Sequence, residues 1–211
     1  MKLGKLKAEA LYMCLANPDI TGCFDTDEEI TEALYQLKSD PNLSDYLNAS
    51  VGAINRCFAF LEMKGLSPVR TANVLPVSDG SVYRLSLTPR IHDLLRIKSV
   101  FAIKGDTISP IRDFIEITGS ELMLKDNADS YSVSYYSRIP RISAATPESY
   151  DVPLDECLCE LIPYFIKGDI LRVDDPSEAD NAMSFFMEAV SHLDLSYGGA
   201  YTKVDTLYEM R

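Results

Sequence analysis

The sequence predicts an α+β protein. Its two ends form a helical bundle, and an antiparallel β-sheet or small sandwich is inserted between them. Three observations lead there. Apolar residues recur at three- and four-residue spacing in residues 1–67 and again in 154–196. In residues 68–153 the period drops to two, with turn-forming pairs at close intervals. Neither helical stretch can bury its apolar stripe alone, so the two are expected to pack on each other across the β module. Residues 197–211 follow as a polar C-terminal arm, ordered by a partner.

The first helix is predicted over residues 2–16. Leu3, Leu6, Ala10 and Met13 make its stripe, and Asn17-Pro18 ends it. Thr26-Asp27-Glu28-Glu29 reads as a capping box that opens a short second helix, with Ile30, Ala33, Leu34 and Leu37 on one face. Asp40-Pro41 closes it. A third helix is expected over residues 44–64, where Leu47, Val51, Ile54, Phe58 and Leu61 recur and Gly65 fits the C-terminal cap. This helix is expected to lie centrally in the bundle.

Strands are predicted over 70–77 and 81–87 around the turn pair Asp79-Gly80, and over 97–103 before Gly105-Asp106. Residues 88–95 read as a crossover. Strands over 114–118 and 121–125 flank Gly119-Ser120. Residues 130–137 alternate, with Tyr131, Val133 and Tyr135 on one face and Ser132, Ser134 and Tyr136 on the other. Residues 140–153 read as a linker. From Leu154 the helical period returns, with Cys157, Leu158, Leu161, Ile162 and Phe165 in one stripe and Pro163 predicted to kink or restart the helix. Asp175-Pro176-Ser177-Glu178 opens the last helix, whose buried face is Ala179, Ala182, Met183, Phe186, Val190 and Leu193.

Charge is unevenly spread. Of 32 acidic and 20 basic residues, 1–67 holds ten and six, 68–153 ten and ten, and 154–211 twelve and four. A net charge of −12 makes free nucleic acid a poor ligand, since that affinity comes largely from neutralising phosphates. Five cysteines without Cys-x-x-Cys spacing argue for reduced core residues rather than a disulfide framework. Lys2, Lys5 and Lys7 before the apolar run 10–16 have the outline of an export signal, but Glu9 and Asn17-Pro18-Asp19 interrupt it, so an amphipathic helix is the preferred reading. No stretch is long and apolar enough to span a bilayer.

No phosphate loop, dinucleotide fingerprint, zinc-protease helix or nucleophile elbow is present. The sequence therefore predicts a non-enzyme with no catalytic residues, cofactor or metal. Several pairs were weighed against structural roles. His92-Asp93 reads as loop residues rather than a dyad, and His192 as a partner for a helix C-terminus. Cys157 and Cys159 point about 200° apart on a helix and cannot share a metal. Asp174-Asp175 reads as a helix start. Asp126, Asn127 and Asp129 lack the ligand alternation of a calcium loop. Tyr131, Tyr135 and Tyr136 could stack on bases or sugars, but a core-and-surface strand accounts for them.

The segment Ala53-Ile54-Asn55-Arg56-Cys57-Phe58, followed by Pro68-Val69-Arg70 leading into the β region, resembles the neck adaptor (head-tail connector, head-completion) proteins of tailed bacteriophages and prophages. Leu161-Ile162-Pro163-Tyr164-Phe165-Ile166-Lys167-Gly168-Asp169 is similar to that family's second helical segment. Asp174-Asp175-Pro176 with Phe185-Phe186 resembles its last helix. The chain departs from the family in its long 17–40 segment and short tail. The resemblance implies a structural protein that joins the portal to tail and neck proteins. It implies a homo-oligomeric ring on assembly, with a monomer allowed in isolation. DNA would pass through the lumen without specific binding. It also implies the host cytoplasm during assembly, then the virion neck, with no membrane. It assigns partner binding to Tyr197, Gly198, Gly199, Tyr201, Val204, Leu207 and Tyr208 in the arm. The competing expectation is a bacterial binding module that recognises a sugar or peptide through the β insertion, which an exposed aromatic groove near Tyr131 and Tyr136 would favour.

Overall fold

A computed structural model describes residues 1–15, 24, 26–79, 82–87, 91–118, 120–125 and 127–198. The chain divides into two compact units, one made of residues 1–66 and 140–211 and the other of residues 67–139. The fold is α+β, with five helices and two antiparallel sheets among the described residues.

The first unit holds α1 (Leu3–Cys14), α2 (Asp27–Ser39), α3 (Pro41–Met63), α4 (Glu156–Ile170) and α5 (Pro176–Gly198). Helices from both chain ends pack together: α1 and α3 both lie against α4, and α4 against α5. Three rings mark one junction. Phe60 of α3, Phe165 of α4 and Phe186 of α5 have centroids 5.1–6.2 Å apart. Such tilted pairs add to the burial of the rings themselves. A second apolar cluster gathers Ala8 and Leu11 of α1, Leu34 and Leu37 of α2, and Leu47 of α3.

The helix ends follow their sequence signals closely. Thr26 and Glu29 form the reciprocal capping box. Pro41 opens α3 three residues before the predicted start, because proline suits the first helical position. At its other end Gly65, with φ 75°, reverses the chain. Gly65 N–H donates to the Glu62 carbonyl and Leu66 N–H to the Leu61 carbonyl, a Schellman cap. Asp175 accepts from the Glu178 amide at 3.1 Å, and Asp155 from the Cys157 amide at 3.0 Å.

Three expectations are corrected in this unit. Residues 140–153 are not a linker of the β module but a strap on the helices. α1 has no side-chain cap, and instead its first amides, Leu3 and Gly4, donate to the Tyr150 and Glu148 carbonyls, each at 2.9 Å. Gly4 makes the approach close, since a Cβ there would lie 3.1 Å from both Glu148 Cβ and Ile30 Cγ2 and one of them would have to shift. α3 is central as expected, with Ala53, Ile54, Cys57, Phe58 and Leu61 fully buried, and α1 is buried beside it through Leu3, Leu6, Ala8, Ala10, Leu11 and even Lys7. The helix does not begin afresh at Pro163: α4 continues through it as one element at the cost of one helical hydrogen bond, while Ile162, Phe165 and Ile166 keep it seated in the core. Cys157 is exposed rather than part of the apolar stripe, and Cys159 is buried in its place.

The second unit is a sandwich of β1 (Val69–Val74), β2 (Val77–Asp79), β3 (Val82–Ser86), β4 (Leu94–Lys104), β5 (Thr107–Ile111), β6 (Phe114–Thr118), β7 (Glu121–Leu124) and β8 (Ser130–Ser137). One sheet has the order β1-β8-β4-β5 and the other β2-β3-β7-β6, with every pair antiparallel. Leu85, Leu122 and Leu124 of one sheet share a core with Val100, Tyr131 and Val133 of the other. The predicted strand 70–77 is two strands in different sheets, broken at Leu75-Pro76, where proline cannot donate to a ladder. The predicted crossover ends early, since β4 starts at Leu94. β5 has no counterpart in the predicted elements; its Pro110 is tolerated because β5 lies at a sheet edge. Gly80 of the predicted turn pair Asp79-Gly80, the neighbouring Ser81, and Gly119 lie outside the described residues.

Candidate interaction surfaces

The residues assigned to partner binding divide in two. Tyr197 and Gly198 end α5, while Gly199, Tyr201, Val204, Leu207 and Tyr208 lie outside the described residues. The described surface offers other features.

The segments that carry the family resemblance meet inside the helical unit. Arg56 Nε donates to Asp169 Oδ1 at 3.0 Å, and Nη2 closes a second arm on Oδ2. This bond to Asp169 holds the guanidinium above its ordinary pKa. One residue earlier, Asn55 makes a reciprocal pair with the strap: Nδ2 donates to the Ile142 carbonyl at 2.8 Å, and the Ile142 amide to Oδ1 at 3.0 Å. Lys7 reaches both Glu148 oxygens at 3.1 Å from a site only 4% exposed. The bonds of Asn55 and Lys7 explain why the strap stays on the helices.

The sandwich presents two outer faces. Because side chains alternate along a strand, the residues opposite the buried set share a face. On the β1-β8-β4-β5 sheet, the registered rows are Val69–Tyr136–Arg96, Thr71–Ser134–Ser99 and Asn73–Ser132–Phe101–Pro110, then Ser130–Ile103–Ile108. The Arg96 guanidinium carbon sits 4.7 Å from the Tyr136 ring centroid and Lys98 Nζ 5.9 Å from it, a cation–π arrangement. Thr71 and Ser134 hydroxyls meet at 3.2 Å. These four strands contain Arg70, Arg96, Lys98 and Lys104 and no acidic residue. On the other sheet one row crosses all four strands as Val77–Arg84–Met123–Ile115, and Ser86–Glu121–Thr118 lies beside it. Val77 is 63% exposed and Ile115 55%.

The residue pairs weighed as chemical sites are engaged structurally. Asp93 accepts from Arg70 at 2.7 Å and from the Tyr135 hydroxyl at 3.2 Å, so its carboxylate serves the sandwich rim rather than His92, which is exposed. Burial, then the charge of Asp93, raises the Tyr135 pKa. Asp174 accepts from the Tyr46 hydroxyl at 2.6 Å, which pushes that phenol up, and Asp175 caps α5. Asp129 accepts from the Gly105 amide at 2.8 Å and braces the β4–β5 turn. His192 is exposed, 3.9 Å from Glu188 one turn back. Burial raises the thiols of Cys14 and Cys159 to about 11 each and that of Cys57 further. Cys23 and Asp126 lie outside the described residues. An open groove between α1 and α2 is lined by Tyr12, Phe24, Glu28, Glu32 and Gln36, among others. Among the described residues, no three His, Cys, Asp or Glu side chains are grouped to hold a metal, and no helix is long and apolar enough to cross a membrane.

Charge follows the division into units. Residues 67–139 hold 8 acidic and 9 basic groups, which leaves 32 − 8 = 24 acidic and 20 − 9 = 11 basic groups for the helical unit. Sequence reasoning missed the acid-free sheet, although the strings Leu94–Lys104 and Ser130–Ser137 carry that signal once their strands are paired. No family model matches this chain, and no curated protein matches it.

Proposed function

We propose that the chain is a non-catalytic neck adaptor that joins a phage or prophage portal to its tail. The observation that carries this reading is the Arg56–Asp169 pair. It brings the Ile54-Asn55-Arg56 segment against the Leu161–Asp169 segment, the two stretches on which the resemblance mainly rests. The net acidity of the helical unit also supports the reading, because like charge keeps DNA phosphates from adhering to a channel wall. An exposed aromatic groove near Tyr131 and Tyr136 would favour the competing binding-module reading; Tyr131 is 0% exposed and belongs to the sandwich core, which leaves Tyr136 alone of the two on the outer face.

The test is direct. Purified chain is mixed with rings of the portal protein encoded beside its gene, and complexes are separated by size and imaged. Stoichiometric capture on one face of the ring is the expected result, and removal of residues 199–211 should abolish it. Absence of the chain from purified particles, together with no portal binding, would overturn the reading.

A further inference from the structure

We draw no further inference here: the strongest candidate, the open groove between α1 and α2 where the Tyr12 and Phe24 rings lie beside Glu28 and Glu32, carries nothing, because Glu28 and Glu29 belong to the acidic first turn of α2, where Glu29 closes the capping box, and nothing in the structure shows what covers it.

Discussion

Arg56 and Asp169, 113 residues apart in sequence, form a two-armed ion pair that ties α3 to α4. The pair is asymmetrically placed, because the Arg56 side chain is 59% exposed and that of Asp169 only 19%. Solvent screening on the arginine side limits its worth. A double-mutant cycle of Arg56→Ala and Asp169→Ala in urea should give a coupling of about 0.5–1 kcal/mol that shrinks in high salt. Arg56→Lys should lose most of that coupling, since an ammonium cannot make the fork. A salt-independent coupling well above this range would mean that the site is effectively buried.

The Asn55 amide is the stronger clasp. Its two hydrogen bonds satisfy both backbone groups of Ile142, which lie outside any ladder. Asn55→Ala should cost about 1–3 kcal/mol, the penalty for orphaned polar groups. Asn55→Asp keeps the acceptor but sets a carboxylate against the Ile142 carbonyl, so it should cost at least as much. Urea midpoints read both, and a neutral Asn55→Ala would show that the strap is held by other contacts.

Lys7 tests whether a buried ion pair stabilises the unit or only satisfies itself. Glu148→Ala strands an ammonium in a site 4% exposed and should cost about 3 kcal/mol, the low end for breaking a buried pair, because Glu148 remains about a third open to water. The double replacement Lys7→Met with Glu148→Leu removes the stranded charge and should melt closer to wild type than Glu148→Ala does. The reverse order of melting temperatures would show that the pair itself contributes net stability.

The thiols should separate by burial. Cys157 is exposed and should react with a thiol reagent on mixing, whereas buried Cys57 and Cys159 should react at the rate of unfolding. Asp155 raises the Cys157 thiol, so Asp155→Asn, which retains a cap, should speed its reaction near neutral pH. For Cys159, raised to about 11 by burial, the neutral form is the one the fold favours. That contribution is complete below the ordinary thiol pKa and is lost as pH rises from there through about 11. Stability should therefore fall across that window, and Cys159→Ala should flatten the fall. An unchanged slope would remove Cys159 as its source.

Much of this architecture was legible in the chain, and its misreadings share a cause. Period and capping signals are local, so Thr26-Glu29, Gly65 and Asp175 marked helix ends, and the alternation of residues 130–137 correctly separated Tyr131 from Tyr136. What failed depended on partners distant in sequence. Residues 140–153 have no period because their hydrogen bonds go to α1 and Asn55. Pro110 hid β5 because nothing local says that a strand lies at an edge. Pro163 suggested a break because its helix is held by tertiary packing. Lys7 resembled a leader charge because Glu148 stands 141 residues away. The acid-free sheet face became visible only when four separate strands were placed in register.

The β unit begins and ends at one place. Val69 pairs with Tyr136, and the Ser137 amide donates to the Pro68 carbonyl at 2.8 Å. Its first and last strands are therefore neighbours, the condition under which one domain can be spliced into another without stretching its host. A lineage carrying this scaffold could acquire, discard or trade the sandwich in a single recombination event and leave every helix of the host intact.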